Sequence, residues 1–169
     1  MPSTLRSLRR PLLLAGVVGA SLAVAAPAMA ATSGTTVSAN VNTVLSVSAP
    51  ASLGFGAVSP GDNPSSAAAV TVVSNVSNGY TLTASRTAFT PDEIPLAFTG
   101  VSGAPDNASA GTAGAIPTSG SITIGSGAAG FVTPAAGAVW NVGLSLGPVG
   151  FIRDGVHTST VTFTATATP

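Results

Sequence analysis

Apolar and polar residues alternate with a period of two in one segment after another from Val37 to the C-terminus. Strands with one buried face show this period, whereas amphipathic helices repeat every 3.6 residues. In the last segment, threonines occupy every second position from Thr158 to Thr168, and apolar residues such as Phe163 stand between them. No segment after residue 30 combines helical spacing with capping residues. The pattern therefore predicts an all-β chain.

Counting the alternating segments predicts seven to nine short strands. They lie near residues 37–48, 53–57, 70–72, 80–84, 96–98, 122–124, 138–146 and 156–167. Asn78-Gly79 suits a turn that needs positive φ and predicts a hairpin before Tyr80. Residues 99–120, rich in Gly, Ala and Ser, predict a long mobile loop. We expect one immunoglobulin-like, Greek-key β-sandwich over residues 31–169.

The first 30 residues have the pattern of a bacterial signal peptide. Three arginines precede an apolar run from Leu12 to Ala26, and Ala28-Met29-Ala30 supplies the small-x-small cleavage site. Cleavage would leave Ala31 as the mature N-terminus. No later segment is apolar over the roughly 18 residues that a membrane span needs. We expect a secreted protein, exported by the general or the twin-arginine route, without a membrane span after cleavage.

The charge and composition of the mature chain exclude several functions. After residue 30 there are two arginines, no lysine and five carboxylates, a net charge of −3 with His157 neutral. Two cationic side chains cannot neutralise a run of phosphates. Nucleic-acid binding is therefore not expected. There is no cysteine, and the carboxylates show no ligand spacing, so we expect no metal site and no cofactor.

Two motifs look catalytic. Gly143–Gly147 matches G-x-S-x-G around Ser145, and Asp154 and His157 follow in the order of an α/β-hydrolase triad. That motif needs a strand-to-helix turn, whereas this stretch alternates like a strand. Gly125–Gly130 matches G-x-G-x-x-G but lacks the helix and the acidic residue of a dinucleotide site. We therefore expect no enzyme, and a secreted serine hydrolase using Ser145, Asp154 and His157 is the alternative.

Two segments resemble the WxL domain of secreted Gram-positive surface proteins. Asn78–Ser85 resembles the segment that carries its first Trp-x-Leu motif, and His157–Ala165 resembles its C-terminal segment. Tyr80 and Phe163 stand where the family has tryptophan, and Leu82 is kept. The resemblance implies a β-sandwich attached non-covalently to the cell wall, with Tyr80, Leu82 and Phe163 as candidate binding residues.

Trp140 is a further candidate binding residue, because exposed aromatic side chains on a sheet stack on sugars or anchor in a partner. Trp140 and Tyr80 are also in phase with apolar neighbours, which favours burial. Phe163 is predicted to point into the core, where Phe163→Ala would cost about 3–5 kcal/mol.

Together these features predict a secreted, non-catalytic surface protein. The candidate partners are a cell-wall polymer or other surface proteins. A variant of this hypothesis is self-assembly by strand pairing, because the terminal segments carry no lysine and no internal proline to block a sheet edge.

Overall fold

The computed structural model describes residues 35–169, so the predicted signal peptide lies outside the described residues. Nine strands and no helix are found there, within a compact unit formed by Asn40–Pro169. The strands are β1 (Leu45–Ser48), β2 (Ser65–Ser74), β3 (Tyr80–Arg86), β4 (Leu96–Ser102), β5 (Ala108–Ala110), β6 (Gly114–Ala115), β7 (Ile122–Gly127), β8 (Ala138–Leu146) and β9 (Val161–Ala167). The prediction of an all-β fold with seven to nine strands is confirmed.

The strands form two sheets in which every pair is antiparallel. The five-stranded sheet has the order β1-β2-β8-β4-β6, and the four-stranded sheet has the order β5-β7-β3-β9. Apolar side chains of both sheets fill one core between them, which is the arrangement of a β-sandwich. The two sheets do not close into a barrel, so each keeps strands at its margins.

Most connections pass from one sheet to the other. Only β1 and β2 are consecutive strands of the same sheet, and the other seven of the eight connections cross between the sheets. The hairpin predicted at Asn78-Gly79 is therefore wrong, although the turn is real. Gly79 has φ 83° and its N–H donates to the Val76 carbonyl at 3.2 Å, so the turn redirects the chain into the other sheet.

The core follows the period-two pattern most closely along β8. Its even-numbered residues point inward and are buried, and its odd-numbered residues are more exposed. Trp140 is fully buried and packs edge-on against Tyr80 of β3, with ring centroids 6.4 Å apart. The indole Nε1 donates to the Tyr80 hydroxyl at 3.1 Å, so both polar atoms are satisfied inside the core.

The structure differs from the predicted strands at the start of the domain. Of residues 37–48 only Leu45–Ser48 form a strand, and Val37 and Val41 are 89% and 77% exposed. Residues 53–57 form no strand either. Alternation shows only that a segment can pair, and these segments have no partner strand in the described chain.

The structureless loop predicted at residues 99–120 is also wrong. β4 extends to Ser102, Ala108–Ala110 pairs with β7, and Gly114–Ala115 pairs with β4. Ile116 is buried, and its N–H donates to the Leu96 carbonyl at 2.9 Å. Strands of two or three small residues have too little apolar content to produce a detectable period.

Candidate functional site

Three of the four predicted binding residues are in the core. Trp140, Tyr80 and Leu82 are 0%, 1% and 0% exposed, and burial raises the pKa of the Tyr80 phenol. A side chain without accessible surface cannot stack on a sugar or enter a partner's pocket. The structure therefore corrects their assignment as binding residues, and the alternative reading of Tyr80 and Trp140 as core residues fits their burial.

Phe163 is placed differently. It lies on the inward face of β9 between Val161 and Ala165, as predicted, but all three are only half-buried. The threonines of β9 face away from the core and are exposed. Phe163 packs against the core and also lines a cleft, so part of its ring stays accessible.

The cleft has a volume of about 900 Å³ and lies at one end of the sandwich. Its walls are the beginnings of β2, β4 and β9, the end of β8, and the segments 49–60 and 149–160. Its larger apolar side chains are Leu53, Phe55, Val58, Phe89, Ile94, Leu96, Leu144, Leu146, Val149, Ile152, Val156, Val161 and Phe163. A cleft of this size and apolar character is typical of a binding site.

Arg86 at the end of β3 shapes one wall of the cleft. Its Nε donates to the Ile116 carbonyl at 2.9 Å, and its guanidinium forms an ion pair with Glu93 and lies 5.8 Å from the centre of the Phe89 ring. Glu93 also accepts the Phe89 N–H at 2.7 Å, and the Arg86 hydrogen bond lowers the pKa of Glu93. These contacts hold the β3–β4 connection, so Phe89 and Ile94 are fixed against the cleft.

Asp92 joins that connection to the segment before β9. Its carboxylate accepts the Arg153 backbone N–H at 3.0 Å and forms an ion pair with the Arg153 guanidinium at 2.7 Å. These hydrogen bonds lower the pKa of Asp92 to about 2. His157 Nδ1 lies 3.3 Å from the Asp92 N–H, and Nε2 lies 2.9 Å from the Arg153 carbonyl. We call Asp92, Arg153 and His157 the polar clasp.

Exposed apolar side chains continue the cleft outward. Phe151, between the cleft-lining Gly150 and Ile152, is 97% exposed, and Val156 is 83% exposed. Both belong to the segment that the polar clasp ties down. Exposed apolar side chains beside an apolar cleft are a mark of a surface that binds a partner.

The triad of the hydrolase alternative does not assemble. Ser145 has the opposite parity to the buried Leu144 and Leu146, so its hydroxyl points away from the core. His157 lies on the cleft side, and both ring nitrogens face backbone groups of the polar clasp. A serine nucleophile needs hydrogen-bond contact with its base, and no such bond joins these two side chains in the described residues.

Within residues 35–169, no group of three or more His, Asp or Glu side chains is placed to hold a metal ion. In the same range, no helix is long and apolar enough to cross a membrane. Comparisons of the chain with protein-family models, curated proteins and solved structures give no match. The resemblance to WxL domains stays a prediction, and the site geometry is the basis for the function.

Sequence reasoning missed most of the cleft. Phe89, Ile152 and Arg153 come from irregular segments, where no period marks an inward side, and Phe55 comes from an alternating segment that forms no strand. One available signal was that Phe89 and Phe151 stand outside the predicted strands in a chain with six phenylalanines. Large apolar side chains in loops either support the core or contact a partner.

Proposed function

We propose that the protein is an exported, non-catalytic surface module that holds another surface molecule in its apolar cleft. The observation that carries this proposal is the 900 Å³ cleft beside the exposed Phe151 and Val156. Among the described residues, the lining has three titratable side chains, namely Arg153, Asp154 and His157. Such a lining offers contact area but few groups for chemistry.

The chemistry of the cleft favours a protein partner over a cell-wall polymer. Wall polymers are rich in hydroxyl and charged groups, which would lose hydration in an apolar cleft without gaining matching hydrogen bonds. An apolar peptide segment gains from the same surface. Wall association, as the WxL resemblance implies, would then pass through a second surface protein.

Retention at the cell surface tests the proposal. Phe151→Asp places a charge beside the cleft on a side chain that makes little contact with the fold, and Val132→Asp is the matched control on an exposed residue outside the lining. We expect Phe151→Asp to move protein from the cell-surface fraction to the medium without a change in melting temperature. Val132→Asp should behave like the natural chain. Equal retention of Phe151→Asp and Val132→Asp would overturn the proposal.

Export itself has a separate test. The N-terminal sequence of protein purified from the medium should begin at Ala31. Material that begins at Met1 would contradict signal cleavage and with it the extracellular location.

A further inference from the structure

We propose that the partner is a second copy of the chain, whose residues 35–41 add as a strand to the margin of β9 that has no hydrogen-bonded neighbour in the described chain. This inference rests on the proposed function and identifies the bound surface molecule as another copy of the chain. In the described residues, β9 forms one margin of the four-stranded sheet and pairs only with β3. That sheet is one strand narrower than the sheet it packs against.

The backbone of β9 presents hydrogen-bonding groups to its open side. The Thr87 N–H donates to the Thr160 carbonyl, and the Thr168 N–H donates to the Gly79 carbonyl, each at 3.0 Å. In antiparallel pairs these bonds fall on every second residue, so the even-numbered threonines of β9 bond towards β3. The N–H and carbonyl groups of the odd-numbered residues therefore point to the open edge, where an added strand could bond them.

β9 itself has none of the sequence features that usually protect an edge, although β1 of the other sheet lies close to it. Exposed strand edges are usually protected by a lysine, an internal proline, a bulge or an inward charge. The strand Val161–Ala167 has no charged residue and no proline, and its pairing with β3 shows no register shift. The inward side chains of Val161, Phe163 and Ala165 remain half-buried, so an added strand would cover apolar surface as well as backbone groups.

Residues 35–41 have the features of a donor strand. Val37, Ala39 and Val41 alternate with Ser38 and Asn40, and this stretch has no charge, proline or glycine. None of these residues belongs to a strand, and Val37 and Val41 are both exposed. The period-two pattern, which has no partner within the described chain, would gain one in a second copy.

The donor leaves the domain at a fixed point. Asn75 accepts the Val44 N–H through Oδ1 at 2.6 Å, and its Nδ2 donates to the Asn42 carbonyl at 2.9 Å. The Asn75 N–H donates to the Val44 carbonyl at 3.1 Å. These bonds tie Asn42 and Val44 to Asn75, directly after β2.

Donor and acceptor match in length and in polarity. The seven donor residues span about 23 Å when extended, and β9 also has seven residues. An added strand would place Val37, Ala39 and Val41 on the cleft side next to Phe163, with Ser38 and Asn40 beside the outward threonines. Because each copy offers a donor at one place and an acceptor at another, the contact is heterologous and links copies into a ring or an open chain.

The donor is tested on protein purified as it is exported, by light scattering over a wide concentration range. Val41→Lys puts a charge on the cleft side of the added strand, and Asn40→Lys puts the same charge on its solvent side. We expect concentration-dependent oligomers for the natural chain and for Asn40→Lys. Val41→Lys should weaken association about tenfold or more, since desolvating a charge costs over 1.4 kcal/mol. A natural chain that stays monomeric throughout, or equal association of both variants, would overturn the inference.

The acceptor is tested with proline on β9. Ala165→Pro removes an N–H that points to the open edge, so the β3–β9 ladder is kept and association should be lost. Thr164→Pro removes a ladder bond and should lower the melting temperature instead. If Ala165→Pro does not fold, the comparison of Val41→Lys with Asn40→Lys decides alone. A monomeric chain whose Phe151→Asp variant still loses surface retention would reject the second copy as partner and leave the proposed function standing.

Discussion

The centre of the sandwich and its cleft end are built from the same alternation of apolar and polar residues, yet they differ in burial. At the centre, β8 lies between two paired strands and faces the other sheet, and Trp140 has no exposed surface. At the cleft end, β9 has one paired neighbour, and Phe163 is half-buried on the same kind of inward position. Alternation sets the direction of a side chain, whereas the number of neighbouring strands and segments sets how far it is buried.

The largest expected effect is at the centre. Trp140→Ala should lower the free energy of unfolding by about 3–5 kcal/mol, because it leaves a cavity and removes the donor to the Tyr80 hydroxyl. Chemical denaturation measures this value. Val139→Ala, on the outward face of the same strand and 45% exposed, is the matched control and should change little. A loss below 1 kcal/mol for Trp140→Ala would contradict tight packing of the indole ring at the centre of the core.

A methyl group added at the centre should also destabilise the fold. A Cβ at Gly125 would clash with the Trp140 ring and lie 2.6 Å from the Ser109 carbonyl oxygen, so Gly125→Ala should cost about 1–3 kcal/mol. Gly150 borders the cleft and has no atom within 4 Å of the equivalent position. Gly150→Ala should therefore leave the melting temperature nearly unchanged. Similar losses for both variants would remove the contrast between centre and cleft.

Phe163→Ala should cost about 1–2 kcal/mol, less than the 3–5 kcal/mol predicted from the sequence, because part of the ring already contacts solvent. A thermal melt measures stability, and surface retention measures binding. We expect a modest loss of stability together with a clear loss of retention. A loss as large as that of Trp140→Ala would place Phe163 in the sealed core.

The smallest effect concerns pH. Arg153 holds the pKa of Asp92 near 2, below its ordinary value of 3.8. A lowered pKa stabilises the fold above the ordinary value, and this stabilisation is lost as the pH falls towards 2. The difference in melting temperature between the natural chain and Asp92→Asn should therefore shrink between pH 4 and pH 2. Both proteins keep the Glu93–Arg86 pair, so its titration cancels. A difference independent of pH would show that the Asp92–Arg153 pair does not lower the pKa of Asp92 and does not stabilise the fold through its charge.

The fold class could be predicted because long strands such as β8 and β9 carry several apolar residues in phase. The cleft could not, because it depends on which strands become neighbours. Asn78-Gly79 correctly indicated a turn, but a turn alone does not decide whether the next strand joins the same sheet. Ala108–Ala110 and Gly114–Ala115 were missed because small residues signal no burial. The Asp92–Arg153 pair joins residues 61 positions apart, beyond any local pattern.

The crossing of seven out of eight connections between the sheets has a consequence for folding kinetics. Almost every strand pairs with strands that are distant in sequence. Only β1 and β2 can form a hairpin of consecutive strands early in folding. Chains dominated by such non-local pairings fold slowly, in milliseconds to seconds, because loop closure costs entropy before contacts repay it. If the chain is exported as proposed, folding this slowly would keep it unfolded during translocation for longer than a chain that folds through local hairpins.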